Sequence, residues 1–256
     1  NWGDGNGSGK NIVAWNWKGG GQGSSNTDGS INTTYTSANT TAGFSISTYT
    51  GTGSSATIGH GLGVAPEFII IKRTSTAESW YVQATVLGYS KYLVLNSTAA
   101  QANTSGSLIS SVSSSTVTVD GNGAVNGSGA TYVMYAFASK IGYSKIGTYT
   151  GNGNADGPFI YLGFKPAFVV TKRTNSTSTW LIMDNKRDSF NVAKSRLFAN
   201  ESDAENTSAN IMDLNSNGFK IRHNGTETNI SGSTYIYMAF AEAPLVGSNN
   251  VPCTAR

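Results

Sequence analysis

The chain has 256 residues, only 12% of them charged, and a formal net charge of +3 with no basic cluster. A nucleic-acid footprint needs Lys and Arg gathered on one face, so nucleic acid is excluded as a partner. A single cysteine, Cys253, leaves neither an internal disulfide nor a cysteine-based metal site, and no apolar run of about eighteen residues offers a membrane-spanning helix.

Residues 1–10 are Gly-rich and read as a flexible lead-in. The chain opens on Asn-Trp instead of Met, as a mature product or a fragment of a longer chain would. From Asn11 to Lys18 the residues alternate, with Ile12, Ala14 and Asn16 on one face and Val13, Trp15 and Trp17 on the other. That period predicts a strand. Its nearest relatives in the chain are 131–137 and 234–240, so it reads as the last strand of a preceding unit whose body is absent. The alternative is a strand that adds to the first complete unit. A strand carrying Trp15 and Trp17 is not left in water, which makes both candidates for contact with a neighbouring subunit. Residues 19–43 form a Gly/Ser/Thr/Asn linker, too poor in apolar residues to fold alone but able to lie extended along a partner.

The remainder is a repeat. Pro66-Glu67-Phe68-Ile69-Ile70-Ile71-Lys72-Arg73-Thr74, then Trp80 after five residues, returns as Pro166-Ala167-Phe168-Val169-Val170-Thr171-Lys172-Arg173-Thr174 and Trp180. The offset is 100 residues at each matched position. Apolar runs rich in β-branched residues and opened by Pro predict strands. Tyr49-Thr50-Gly51-x-Gly53 returns as Tyr149-Thr150-Gly151-x-Gly153, and the closing strand Tyr132–Phe137 returns as Tyr235–Phe240 at an offset of 103. About seven short strands per ~100 residues, with turn signals every 8–12, predict an all-β chain of two tandem antiparallel β-sandwiches, with a jelly roll as the other arrangement. The predicted boundaries are 1–43 for the strand and linker, 44–140 and 143–243 for the sandwiches, and 244–256 for a polar tail. Alternation assigns Val133, Tyr135 and Phe137, with Ile236, Met238 and Phe240, to the sandwich core. Phe68, Ile70, Trp80, Phe168, Val170 and Trp180 join them as predicted core.

Three constellations bear on chemistry. His60 lies in Gly59-His60-Gly61-Leu62-Gly63, and the 100-residue offset puts Ile160 in its place in the second unit. A shared catalytic or metal role needs the residue in both copies or a partner nearby, so His60 and the turn residue His223 read as structural. Asp213-Leu214-Asn215-Ser216-Asn217-Gly218 opens like a calcium loop but has Asn224 where the bidentate Glu belongs, so it reads as a hairpin turn. Of the acids Asp184, Asp188, Glu201, Asp203, Glu205 and Asp213 in the second unit, all but the last fall in loops and strand ends, where a solvated surface explains them without a glycosidase carboxylate pair. No catalytic residue, cofactor or metal is expected, and the chain reads as no enzyme.

The two units differ most in one segment. Residues 84–105 hold a single charge, Lys91, whereas 184–205 hold Asp184, Lys186, Arg187, Asp188, Lys194, Arg196, Glu201, Asp203 and Glu205. Loops on a rigid scaffold are the usual place for recognition, so these nine form the candidate partner surface. Their solvation of a distal unit is the plainer alternative.

Thr27-Asp28-Gly29-Ser30-Ile31, Ala42-Gly43-Phe44-Ser45-Ile46, Tyr49-Thr50-Gly51, Gly59 to Pro66, Tyr132 to Ala138 and Gly247 to Pro252 resemble a recurring domain of unknown function. It is found in large virion proteins of marine tailed bacteriophages, including those of cyanobacteria. The resemblance covers roughly residues 11–256 and departs at Gly157–Lys165, where Ile160 stands for the histidine. It implies a structural, tail-fibre-like component of the virion surface with no enzyme activity. The expected partners are copies of itself, as a homo-oligomer with a trimer favoured, other virion proteins, and a host surface glycan or receptor. A host-polysaccharide depolymerase of a tailspike and a bacterial surface adhesin are the alternatives.

Overall fold

The computed structural model describes residues 7–9, 11–103 and 108–242. The tail 244–256, with Cys253 and the Gly247–Pro252 motif, lies outside the described residues. The protein is almost entirely β. The first half contains β1 (Tyr35–Asn39), β2 (Phe44–Thr50), β3 (Ala56–Gly59), β4 (Phe68–Arg73), β5 (Trp80–Ala84), β6 (Lys91–Val94), β7 (Ala102–Asn103), β8 (Ile109–Val112), β9 (Thr116–Val119) and β10 (Thr131–Phe137). The second contains β11 (Ser144–Thr150), β12 (Phe159–Tyr161), β13 (Phe168–Arg173), β14 (Trp180–Asp184), β15 (Leu197–Phe198), β16 (Met212–Asn215), β17 (Gly218–Ile221) and β18 (Thr234–Phe240).

Each half is a large sheet over a three-stranded one. The large sheets run β1-β2-β10-β4-β5-β6-β7 and β11-β18-β13-β14-β15; the small ones run β3-β9-β8 and β12-β17-β16. Omitting β1 and the outer strands, the order is the same in both halves, and every strand pair is antiparallel. Trp80 pairs with Lys72 as Trp180 pairs with Lys172, so the Lys-Arg-Thr hairpin closes in one register twice.

The reason for the repeated sequence is visible in the turns. Lys72 Nζ donates to the Glu78 carbonyl, and Lys172 Nζ donates to the Ser178 carbonyl at 2.7 Å. Trp80 N donates to Asn96 Oδ1 at 2.9 Å and Trp180 N to Asn200 Oδ1 at 2.7 Å. At the same end of each large sheet, on its inner face, two tyrosines stack, Tyr49 on Tyr132 at 5.1 Å and Tyr149 on Tyr235 at 5.0 Å. Their hydroxyls donate to carbonyls of the loop before the closing strand. Beside them Asn126 Oδ1 accepts from Thr52 N, and Asn229 Oδ1 from Asn152 N, both at 2.8 Å. Buried polar groups are therefore partnered twice in the same way.

Three expectations need correction. The predicted core face is turned the other way. The sandwich interiors are built on Ile69, Ile71, Tyr132, Met134 and Ala136, and on Val169, Leu181, Tyr235, Tyr237 and Ala239. Phe68, Ile70, Tyr135, Phe137, Phe168, Val170, Trp180, Ile236, Met238 and Phe240 lie on the opposite face, where the two large sheets pack on one another. Val133 and Trp80 share that face and stay half-buried. Alternation separates two faces but does not say which is the interior when both carry apolar residues.

The second correction concerns residues 11–18, which form no strand. Their alternation persists, with Val13, Trp15 and Trp17 turned inward and Ile12, Ala14 and Asn16 exposed. The third concerns 19–43, which is more than a linker. It supplies β1, paired with β2 from Tyr35↔Thr48 to Asn39↔Phe44, and Ile31 N donates to Thr57 O at 2.9 Å along the edge of β3. The partner it lies along is the first sandwich of its own chain.

Candidate functional site

The outward faces of the large sheets meet in one apolar core. Phe68 stands edge-on to Trp180 at 6.4 Å, and Phe137 to Phe240 at 6.0 Å. Trp180 is 1% exposed and its Nε1 donates to Val94 O of the first sandwich at 2.9 Å. Lys172 Nζ reaches Thr98 O at 3.0 Å, and Gln101 N donates to Thr174 O at 2.7 Å. Residues 11–18 enter this joint as a wedge. The Trp17 ring lies edge-on to Phe137, Phe168 and Phe240 at 5.9, 5.4 and 5.6 Å, so one indole touches both sandwiches. Trp15 meets Phe168 at 5.7 Å. Trp15 and Trp17, expected against a neighbouring subunit, are thus engaged within the chain.

Beside these contacts the sheets leave a cleft of about 690 Å³. Trp80, Tyr135, Ile46 and Leu95 line it from the first sandwich, Val170 and Trp180 from the second, and Trp15 and Trp17 from the wedge. Trp80 lies parallel to Tyr135 at 6.3 Å. Among the described residues, Asn16, Gln22, Ser37 and the Tyr135 hydroxyl bring polarity to it, and no charged residue lines it. A concave, largely aromatic site of this size is the form that small-molecule and side-chain pockets take.

The nine predicted charges do not form one surface. Asp184 is 3% exposed and accepts from Arg187 Nε at 2.7 Å, from Lys186 N and Arg187 N, and from Trp15 Nε1 at 3.2 Å. Burial raises its pKa, but the hydrogen bonds and charge of Arg187 outweigh that and hold the carboxyl below its ordinary value. Arg187 also pairs with Glu205 at 2.7 Å and lies 5.8 Å from the centre of the Trp15 ring. Asp188 accepts from Lys194 N and Ser195 N, and Arg196 is buried 3.5 Å from Glu227. These four hold the loop and the wedge in place. Lys186, Lys194, Glu201, Asp203 and Glu205 are exposed, and Lys186 pairs with Glu242. Charge counting missed Phe190, which is 88% exposed in the middle of this segment.

The other titratable groups are built into the scaffold. His60 is buried, its Nε2 lying 3.2 Å from Ser113 O while Nδ1 accepts from Leu62 N at 3.2 Å. Burial lowers its pKa against the opposing pull of the Ser113 carbonyl and Asp28. Its counterpart is Leu162 instead of Ile160. His60 N donates to Ser115 O as Leu162 N donates to Asn217 O, and Ile58 pairs with Val117 as Ile160 pairs with Phe219. The local offset is therefore 102, restored to 100 by two fewer residues before Pro166. The calcium-loop candidate is the two-residue turn of the β16–β17 hairpin, and among the described residues no cluster of His, Cys, Asp and Glu could hold a metal. No helix among them is long and apolar enough to cross a membrane.

Fold and joint define an all-β protein of two packed sandwiches threaded by an N-terminal arm. The chain belongs to the family described as a domain of unknown function (DUF7483), whose model matches residues 1–244, arm and both sandwiches together. No curated protein and no solved structure matches the chain.

Proposed function

We propose that the chain is a non-enzymatic structural protein of a tailed-phage virion: a fibre or surface-decoration module outside the particle that contributes to host adhesion. It works as a homo-oligomer, with a trimer as the arrangement suited to a fibre. What supports this reading is the joint. A hinge between two domains would leave a small, polar interface, whereas here one apolar core and a tryptophan wedge make both sandwiches a single stiff body. A stiff body of that kind transmits position and load, which is the work of a spacer that also presents a contact surface. The virion setting rests on the motif resemblance.

The test is labelling of intact particles with antibody against the second sandwich, imaged by electron microscopy. Label at a fixed outer position on the particle is the expected result. Label on no structural part of the virion overturns the reading. Incubation with host polysaccharide is expected to leave its reducing ends unchanged; new reducing ends would make the protein a depolymerase.

A further inference from the structure

Two features are left over by the packing of the joint and its neighbouring loop. One is Phe190, whose ring is 88% exposed. The other is the charge-free aromatic cleft at the joint. An exposed phenylalanine on a floppy loop needs no explanation, but this one is clamped on both sides. Asn191 Oδ1 accepts from Leu214 N at 2.8 Å, and Asn191 Nδ2 donates to Leu214 O at 3.3 Å. Asp188 Oδ2 accepts from Lys194 N and Ser195 N at 2.9 and 2.6 Å, and Ala193 N donates to Met212 O at 2.9 Å. The loop therefore presents the ring outward at little further entropic cost on binding. Aromatic anchors entering desolvated pockets carry most of the energy of protein contacts.

We infer that Phe190 of one copy inserts into the cleft of a second copy, against Trp80, Tyr135 and Trp17. The charge-free lining suits an aromatic side chain and penalises a charged one. The two surfaces lie on different parts of one chain, so the contact is either exchanged reciprocally in a two-fold dimer or, made in one direction, closes a ring or grows a filament. The inference rests on the homo-oligomer reading for its partner, but not on the virion setting.

The test is sedimentation velocity of the full chain over a concentration series. Wild-type protein self-associates at roughly micromolar concentration. Phe190→Ser is expected to weaken this at least about tenfold, and Phe190→Trp to retain it. Ala199→Glu puts a charge on an exposed position at the cleft and is expected to be monomeric as well. Mixing Phe190→Ser, which keeps the cleft, with Ala199→Glu, which keeps the ring, should restore a one-to-one complex that grows no further. Circular dichroism checks that each variant folds. A monomeric wild-type chain, undiminished association of Phe190→Ser, or no complex in the mixture overturns the inference, whatever particle labelling shows.

Discussion

The two sandwiches share a strand order and differ in how they close the edge of the small sheet. In the first, the arm lies on β3. Ser30 and Thr57 exchange hydrogen bonds, and Ile31 enters the core at 5% exposure. The approach is so close that a Cβ on Gly59 would sit 1.6 Å from Asn26 Oδ1. Among the described residues the second sandwich has no such arm: residues 138–143 are only a tight turn, with Lys140 and Ser144 exchanging hydrogen bonds. There Phe159 and Tyr161 stand where Thr57 and Gly59 stand in the first, and Lys145 Nζ reaches Tyr161 O at 2.8 Å across the ring. An edge strand must be covered or blunted. One copy covers the edge with the arm, whose Asn26 side chain fills the space beside Gly59; the other covers it with the Phe159 and Tyr161 side chains.

The joint is equally uneven, and this sets the largest expected effect. Trp180→Ala empties a fully buried site and should cost about 3–5 kcal/mol, while Trp80→Ala, half-buried beside the cleft, should cost clearly less. Urea denaturation measures both; equal losses would break the distinction.

Next comes the edge. Gly59→Tyr places a ring where Asn26 lies and should cost about 1–3 kcal/mol, with faster amide exchange at 35–39. Tyr161→Gly on the other copy removes an exposed ring from a strand and should cost only about 0.5–1 kcal/mol. Unchanged exchange in Gly59→Tyr would refute the glycine argument.

A smaller effect lies at the lysine of the second hairpin. Burial, with the charge of Arg173 adding, lowers the Lys172 pKa to about 8 from 10.5. Between those values the unfolded chain holds a proton that the folded chain has released, so stability rises with pH over that window. Tyr81 and Tyr237, raised to about 12 chiefly by burial, act oppositely from pH 10 upward, because the unfolded chain then loses its protons first. The melting temperature should therefore climb above pH 8 and fall again beyond about pH 10. Lys172→Met should remove the climb; a climb that survives the substitution assigns it to another group.

The smallest effect lies in the charged segment. Glu201→Ser and Asp203→Ser should change stability by no more than about 0.5 kcal/mol. Asp184→Asn should loosen the wedge and shift Trp15 fluorescence. Equal behaviour of all three would return the segment to a uniformly solvated face.

Much of this comparison is readable without coordinates, and the limits are specific. The Pro-to-Trp repeat places the β4–β5 and β13–β14 hairpins correctly because their register is local: a period of two, a Lys that returns to its own turn, and an Asn that caps the Trp. The 102 offset around His60 is hidden because a shift of two keeps the alternation intact and only the hydrogen-bond partner reveals it. Phe190 is invisible because an isolated aromatic in a polar loop has the same letters whether its ring is buried or presented.

What sequence settles here is therefore what short range decides: β composition, strand positions, the doubling of the unit, and which residues share a face. What the tertiary structure alone decides is which face is inside, since both faces of the large sheets are apolar and only packing chooses between them. It also decides that a segment too polar to fold by itself becomes β1 and a tryptophan wedge. The tryptophan wedge gains its order from a surface more than a hundred residues away in the chain: Trp15 and Trp17 are half-buried only because Phe168 and Phe240 are brought to meet them.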